Sequence, residues 1–201
     1  DRLVRLINDI LDLEKAESGK LELRMEEQAL VPIVEQVIEL NRGYADSFGV
    51  SIKLEPHDSD AKVLVDRDRF IQVLTNLLSN AVKYSPEDGI VTLGANVKDG
   101  VVEVTVEDQG LGIPGDELDR IREPYYRASN VGSIPGTGMG LALVDGIVRQ
   151  HGGRLSIESE EGKGTRVVVI LPVEGSGEFP ERISEQDLVR RGRPGNGEPA
   201  D

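Results

Sequence analysis

The chain has 201 residues, a formal net charge of −14, 38% hydrophobic residues and only 3% aromatic residues. This length accommodates one full domain with appendages, and so negative a balance argues against nucleic acid as a partner. No apolar stretch is long enough to span or enter a membrane, and no signal peptide opens the chain. The lack of cysteine excludes disulfides and thiolate metal sites and fits a cytoplasmic location. An anionic ligand would have to be held by local donors and a metal ion.

The first eighteen residues place apolar side chains three and four positions apart, which is typical of an amphipathic helix that ends at Gly19. So short a helix cannot bury its apolar stripe alone. We therefore expect residues 1–19 to be one helix of a bundle whose other members lie upstream or in a second chain. The alternative is a helix that lies on its own domain. Residues 20–30 are predicted to be a linker, extended over 20–25.

The chain then mixes helices, strands and hairpins. The predicted helices are 31–48, 66–84, 114–121 and 141–150, and the predicted strands are 50–54, 62–65, 89–97, 101–106, 154–159 and 165–171. This order predicts an α+β domain over 31–173, a two-layer α/β sandwich whose mixed sheet is covered on one face by helices. Residues 174–201 are rich in Gly, Pro, Glu and Arg and are predicted to be disordered, with a helical turn near 183–189.

The helix that Asp66 can cap and that Ser85-Pro86 should end has two contrasting faces. Its apolar face comprises Phe70, Val73, Leu74, Leu77, Leu78, Ala81 and Val82, and its polar face comprises Gln72, Asn76, Asn80 and Lys83, with Tyr84 at the edge. Amide oxygens can bind a hard cation, a lysine can meet phosphate, and a tyrosine can stack on a base. The polar face therefore indicates a nucleotide site, although a solvated face remains the simpler alternative.

Three glycine clusters follow this helix. In the first, Asp108 precedes Gly110 and Gly112 at a strand end, where an ionised carboxylate suits the exocyclic amine of adenine. The second cluster, GTGMGL over 136–141, leads from a loop into a helix, and the backbone amides of a helix N-terminus can hold phosphate. It matches neither a dinucleotide fingerprint nor a Walker loop. The third cluster, over 162–165, lies in a hairpin turn, and turn formation alone would explain it.

Together these segments resemble the catalytic and ATP-binding domain of bacterial sensor histidine kinases, in the ATPase superfamily shared with gyrase, Hsp90 and MutL. NLLSNAVKYSP is similar to the N box of that family, DQGLGI to its first glycine box, EPYYR to its F box and GTGMGL to its second glycine box. LINDILDLEKAESGKLEL resembles the end of the dimerisation helix and the linker into the kinase domain. The resemblance covers about residues 1–173 and implies a Bergerat-type fold.

The resemblance also implies roles for the matching positions. Asn80 and Asn76 would coordinate Mg²⁺, Asn76 and Arg127 would serve catalysis, and Asp108 would bind the adenine amine. Residues 126–138 would form a lid that nucleotide orders. The full set of implied ATP-binding residues is Asn76, Asn80, Lys83, Tyr84, Asp108, Gly110, Gly112, Ile113, Tyr126, Arg127, Gly136, Thr137, Gly138, Met139, Gly140, Leu141 and Thr165.

The implied function is ATP-dependent phosphorylation of a histidine on the dimerisation helix, followed by relay to a response-regulator aspartate. The implied partners are the receiver domain of that regulator, the dimerisation domain of the same protein and a homodimer partner. The histidine box is absent from these residues, and neither His57 nor His151 resembles an acceptor. Arg122 replaces the F-box phenylalanine, and Met139 replaces a leucine. Two alternatives remain: a serine-directed anti-sigma-type kinase, and a non-catalytic nucleotide switch.

Overall fold

Residues 2–55, 61–98 and 100–173 are described by a computed structural model. Its helices and strands, in chain order, are α1 (Arg2–Glu17), β1 (Glu26–Ala29), α2 (Leu30–Ser47), β2 (Ser51–Leu54), β3 (Lys62–Val65), α3 (Arg67–Tyr84), β4 (Ile90–Lys98), β5 (Val101–Asp108), α4 (Gly140–Gln150), β6 (Arg154–Glu160) and β7 (Gly164–Pro172). Short 3-10 helices span Gly115–Glu117 and Ser129–Val131. His57 and the predicted disordered tail lie outside the described residues.

Five strands form a mixed sheet in the order β2-β4-β5-β7-β6. Strands β2 and β4 are parallel, whereas the other neighbours are antiparallel. A second sheet pairs β1 with β3, with Glu26 opposite Val65. Strand β1 was predicted as part of a linker, because its sequence, EEQA, has no alternating apolar pattern and becomes a strand only through this long-range pairing. The α+β class and the mixed sheet are confirmed.

The helices pack on one face of the five-stranded sheet. On β5, Val102, Val104 and Val106 alternate inward and join the helices in one core, as the two-residue period of a strand requires. Phe70 is the largest of the fully buried side chains, and nearly all the others in the core are aliphatic. The composition, with its 3% aromatic residues, had indicated such a core.

Helix α3 matches its prediction closely. All seven predicted apolar-face residues are buried. The Asp66 side chain caps the helix, because Oδ1 accepts a hydrogen bond from the backbone N–H of Arg69 at 3.1 Å. The helix ends at Tyr84, and the next residue, Ser85, is extended with φ −73° and ψ 151° because Pro86 follows it.

The predicted helix over 114–121 is wrong. Only Gly115–Glu117 is helical, as one 3-10 turn, and Pro114 precedes it with an extended ψ of 135°. Glycine next to proline weakens an α-helix at its first turn. The Glu117 carboxylate instead accepts a hydrogen bond from the backbone N–H of Ser129 at 2.9 Å, which ties this segment to the following loop.

The second half of α1 packs against the domain of its own chain. Leu13 and Ala16 belong to the main core, and Gln150 Nε2 at the end of α4 donates to the Ala16 carbonyl at 3.2 Å. This is the arrangement of the alternative interpretation. Ile7 and Leu11 remain 49% and 48% exposed, so that the bundle interface stays a prediction. Among the helices of the described residues, none combines the length and the apolar character needed to cross a bilayer.

Candidate nucleotide-binding site

A cavity of about 440 Å³ opens between the polar face of α3, the end of β5, the loop before α4 and the start of α4. Most of the site residues predicted from the sequence line it. They are Asn76, Asn80, Lys83, Tyr84, Asp108, Gly112, Ile113, Tyr126, Arg127, Gly136, Thr137, Gly138, Gly140, Leu141 and Thr165. Segments far apart in the chain therefore converge on one space.

The amide group of Asn76 is oriented by the helix itself. Its Nδ2 donates to the backbone carbonyl of Gln72 at 3.0 Å. Its Oδ1 therefore points away from the helix backbone, towards the second glycine cluster, and lies 3.5 Å from where a Cβ on Gly140 would be. Asn80 Nδ2 lies at the same distance from that point. Two side-chain amides thus face the start of α4.

Gln72 was predicted on the same polar face but does not line the cavity. Its Nε2 donates to Asp12 Oδ2 of α1 at 3.0 Å, and Arg69 Nη1 donates to the same oxygen at 2.6 Å. The first turns of the polar face therefore hold α1, and only the later turns form the site.

Asp108 is 9% exposed and ends β5 at the bottom of the cavity. Burial raises the pKa of its carboxyl to about 6, and the nearby Glu107 charge acts in the same direction. The backbone N–H groups of Gly110 and Thr165 lower this pKa in part, because both donate to Oδ1, at 2.8 and 3.3 Å. With both of these bonds on Oδ1, Oδ2 is positioned to accept a hydrogen bond from a ligand.

Two glycines bring the walls of the site into backbone contact. A Cβ on Gly110 would lie 2.2 Å from the Tyr84 carbonyl oxygen, where the end of α3 meets the first glycine cluster. A Cβ on Gly164, at φ +118°, would lie 2.0 Å from the Asp108 carbonyl oxygen. Gly110 therefore allows this close approach, although it does not itself line the cavity. The third cluster, which turn formation alone could explain, also places Thr165 beside Asp108.

One cation from α3 and one from the loop between residues 125 and 139 lie near the second glycine cluster. Lys83 Nζ lies 4.2 Å from the centroid of the Tyr84 ring and 3.1 Å from where a Cβ on Gly136 would be. Arg127 Nη2 donates to the Ile134 carbonyl, whereas its buried Nε has no hydrogen-bond partner among the described residues. These two side chains place positive charge beside the second glycine cluster.

The same loop is attached to the first glycine cluster. Asn130 Nδ2 donates to the Gly112 carbonyl at 3.0 Å, and the backbone N–H of Tyr125 donates to the Gly138 carbonyl at 3.0 Å. The loop therefore folds over the cavity with its two ends joined. Of the remaining predicted residues, Met139 is 1% exposed and packs in the core rather than lining the cavity.

Several residues of the site were not predicted. Ser159 Oγ accepts from the Ile113 backbone N–H at 2.8 Å and donates to the Gly164 carbonyl at 2.8 Å, so that it holds two site segments together. Ile157 and Val167, which are opposite each other in the β6–β7 register, line the apolar end of the cavity. Strand alternation could have indicated this pair. Asp9 and Tyr44 also line the cavity, through long-range packing that no local pattern reveals.

The side-chain oxygens at the α3 end of the cavity are suitable ligands for a magnesium ion. Mg²⁺ prefers oxygen ligands in an octahedral shell and retains several waters, so that it is commonly held by few protein groups together with substrate phosphates. The amide oxygens of Asn76 and Asn80 are oxygen ligands of this kind, and both side chains border the same cavity as Lys83. Phosphate oxygens and water would supply the remaining positions.

Known proteins are similar to this chain in sequence and in fold. The family model described as histidine kinase-, DNA gyrase B-, and HSP90-like ATPase matches residues 65–175. The histidine protein kinase DivJ of Caulobacter vibrioides is 39% identical over 172 residues, which is 85% of this chain and 29% of DivJ. The chain spans less than two fifths of the length of DivJ and of two further curated relatives.

Two solved structures illustrate the similarity of the fold. The histidine kinase AdeS of Acinetobacter baumannii has a TM-score of 0.72 at 25% identity, over 86% of this chain and 79% of that chain. Full-length ShkA in complex with AMPPNP has a TM-score of 0.73 at 28% identity, over 89% of this chain and 38% of that chain. The match over 65–175, which includes α3, Asp108 and the second glycine cluster, shows that the chain belongs to the family of histidine kinase-, DNA gyrase B- and HSP90-like ATPases.

Proposed function

We propose that this chain is the ATP-binding kinase domain of a two-component sensor histidine kinase, located in the cytoplasm. In the complete protein it transfers the γ-phosphoryl group of Mg-ATP to a histidine on the dimerisation helix, from which a response-regulator aspartate receives it. The convergence of Asn76, Asn80 and Asp108 on one cavity carries this proposal. The AMPPNP complex of ShkA supports the choice of an adenine nucleotide.

Adenine recognition falls to the β5 end of the cavity. Asp108 accepts the exocyclic amine through Oδ2, because its Oδ1 is occupied by two backbone N–H groups. Guanine would present an oxygen to this carboxylate and would be repelled. Ile157 and Val167 form apolar walls near this end, where the flat faces of a base are favoured.

The phosphates lie at the opposite end, between α3 and the start of α4. Asn80 and Asn76 would hold Mg²⁺, which would neutralise charge on the phosphate oxygens. Lys83 and Arg127 bind the phosphates directly, and the backbone N–H groups at the start of α4 add further donors. Phosphoryl transfer depends chiefly on alignment and neutralisation of charge, and this set of residues provides both.

His151 is not the phosphoacceptor. It is 5% exposed, its Nε2 accepts from the Asp66 backbone N–H at 3.0 Å, and its Nδ1 contacts the Ile147 carbonyl at 2.8 Å. Because a backbone N–H can only donate, Nε2 carries no proton and Nδ1 does. Both ring nitrogens are therefore engaged in joining the end of α4 to the start of α3.

Nucleotide affinity tests the site. We expect Asn80→Ala and Asp108→Asn each to weaken the binding of a fluorescent ATP analogue with Mg²⁺ by about tenfold or more, since each removes a direct contact. Gln72→Ala is the matched control, because Gln72 shares the helix face but contacts α1; its affinity should stay within about twofold of wild type. Unchanged affinity in both site variants would refute the assignment.

Phosphotransfer distinguishes the proposal from its two rivals. Incubation with ATP and a histidine-box dimerisation domain of a related sensor kinase should give acid-labile phosphate on that domain. Acid-stable phosphate on serine would favour an anti-sigma-type kinase. Tight nucleotide binding with no transfer to any cognate acceptor would favour a nucleotide switch, for which the F-box substitution Arg122 is the motivating feature.

A further inference from the structure

The face of the five-stranded sheet that is turned away from the helices, here called the outer face, carries buried apolar side chains. Val101, Val168 and Ile170 are 0%, 7% and 2% exposed and form a cluster separate from the main core. In the register of β5 with β7, Val101 and Glu103 are opposite Pro172 and Ile170. The helices lie on the opposite face, so that α1 to α4 do not account for this burial.

One oxygen of a half-buried carboxylate on the outer face is also shielded from solvent. Glu103 Oε1 is shielded from solvent and has no hydrogen-bond partner among the residues that the structure describes. Arg166 Nε, on the same face, is likewise shielded from solvent and has no hydrogen-bond partner among the described residues. A polar atom shielded from water is normally hydrogen-bonded, so that this carboxylate oxygen calls for a donor. Both observations indicate that further chain, with polar as well as apolar groups, covers this part of the sheet.

We propose that the C-terminal segment 179–189, FPERISEQDLV, covers the outer face. The described chain ends at Val173, whose backbone N–H donates to the Gly100 carbonyl at 3.0 Å, directly beside Val101. A spacer of sequence EGSGE separates Val173 from Phe179. Six residue steps reach about 20 Å when extended, and neighbouring strands are about 5 Å apart. The segment can therefore reach the apolar cluster from the end of β7.

The chemistry of the segment complements that of the face. The large apolar residues of the last 28 positions are confined to it: Phe179, Ile183, Leu188 and Val189. Arg190 and Arg191 follow directly and supply the charged donors that Glu103 lacks among the described residues. The family model ends at residue 175, so that the proposed cover lies outside the part of the chain that this model matches. It lies on the face opposite to the helices and leaves the nucleotide cavity open.

Thiol reactivity tests the proposal, because the chain has no cysteine of its own. Val168→Cys places one thiol on the outer face, and Val169→Cys places one on the helix-covered face of the same strand. Ending the chain at Val173 should raise the rate of reaction of the Val168→Cys thiol with DTNB by about tenfold or more. The Val169→Cys thiol should react slowly in both lengths of chain; a rise there as well would indicate general unfolding and would count against a local cover.

A charge test assigns the cover to the proposed segment. In the full chain, Ile183→Asp combined with Leu188→Asp should raise the reactivity of the Val168→Cys thiol as truncation does. Asn196→Asp combined with Ala200→Asp adds the same charge outside the segment and should leave the rate unchanged. Equal rates with and without the tail would overturn the proposal, as would protection that persists after truncation and increases with protein concentration, which would indicate a second copy of the chain.

Discussion

Asp108 shows how a binding function conflicts with stability at a single residue. In the proposed site its ionised carboxylate accepts the adenine amine, yet this side chain is only 9% exposed. Burial raises its pKa to about 6, from an ordinary value of 3.8. The folded protein without nucleotide therefore holds a buried charge at neutral pH that the unfolded chain would place in water. Two backbone N–H groups offset this cost only in part.

Replacing Asp108 by asparagine should stabilise the nucleotide-free protein while it weakens nucleotide binding. Asparagine keeps an oxygen for the two N–H groups and removes the buried charge. At pH 7.5 we expect the free energy of unfolding to rise by roughly 1–3 kcal/mol, since each unit of pKa shift corresponds to about 1.4 kcal/mol. Urea denaturation of wild type and variant measures this difference.

The pH dependence identifies the cause. A carboxyl whose pKa is raised on folding binds its proton more tightly in the folded state, so wild-type stability falls as the pH rises from about 4 to about 6 and then levels off. The advantage of Asp108→Asn should be complete above pH 6 and should vanish below pH 4. Asp116→Asn, at an exposed carboxylate nearby, should change stability by less than about 0.5 kcal/mol. An advantage of Asp108→Asn that is independent of pH would contradict the prediction.

At the scale of elements, the sequence predicted structure best where the local sequence of a helix or strand determines its conformation. Helix α3 was predicted to within its cap because seven apolar positions share one face and both end signals are local. The segment over 114–121 was misassigned because its contacts with Ser129, rather than its own pattern, determine its conformation. Strand β1 was missed for the same reason, since its partner β3 lies more than thirty residues away.

Helix α1 provides the clearest test of an element held by side chains. Asp12 binds Arg69 and Gln72 of α3 and is 16% exposed. Partial burial would by itself raise the pKa of this carboxyl, but the hydrogen bonds from Arg69 and Gln72 hold the pKa below its ordinary value. We expect Asp12→Ala to lower the free energy of unfolding by about 1–2 kcal/mol, since it also leaves Arg69 without its partner.

The control for Asp12→Ala is a variant at a solvent-exposed ion pair. Glu39 and Arg42 are 71% and 65% exposed, so that Glu39→Ala should cost less than about 0.5 kcal/mol. Because the pKa of Asp12 is lowered on folding, its contribution should be present above pH 4 and should be lost as the pH falls through the folded-state value. If Asp12→Ala and Glu39→Ala have equal effects in urea denaturation, the Asp12 contact does not hold α1 on the domain.

For the whole molecule, the sequence predicted the type of site but not all of the residues that line it. The amides on α3, Asp108 and the glycine clusters carry local chemistry, and the cavity does bring them together. Tyr44 and Asp9 reach the same cavity only because α2 and α1 pack beside α3, which depends on the complete arrangement of the core. Gln72 was placed on the same polar face as Asn76 and Asn80 but contacts α1, because a helix face shows which side chains are neighbours but not which partner each one contacts.

The separation of the two faces of the sheet leads to a prediction about the complete chain. The residues that line the nucleotide cavity run from Asp9 to Val167 and lie on the helical side. Removing residues 174–201 should therefore leave the affinity for a fluorescent ATP analogue with Mg²⁺ within about twofold of the full chain, because distant sites without shared contacts act independently. Titration of both chain lengths under one buffer condition measures this. A loss of tenfold or more would mean that the tail supports the cavity itself, and that the two faces of the sheet are coupled.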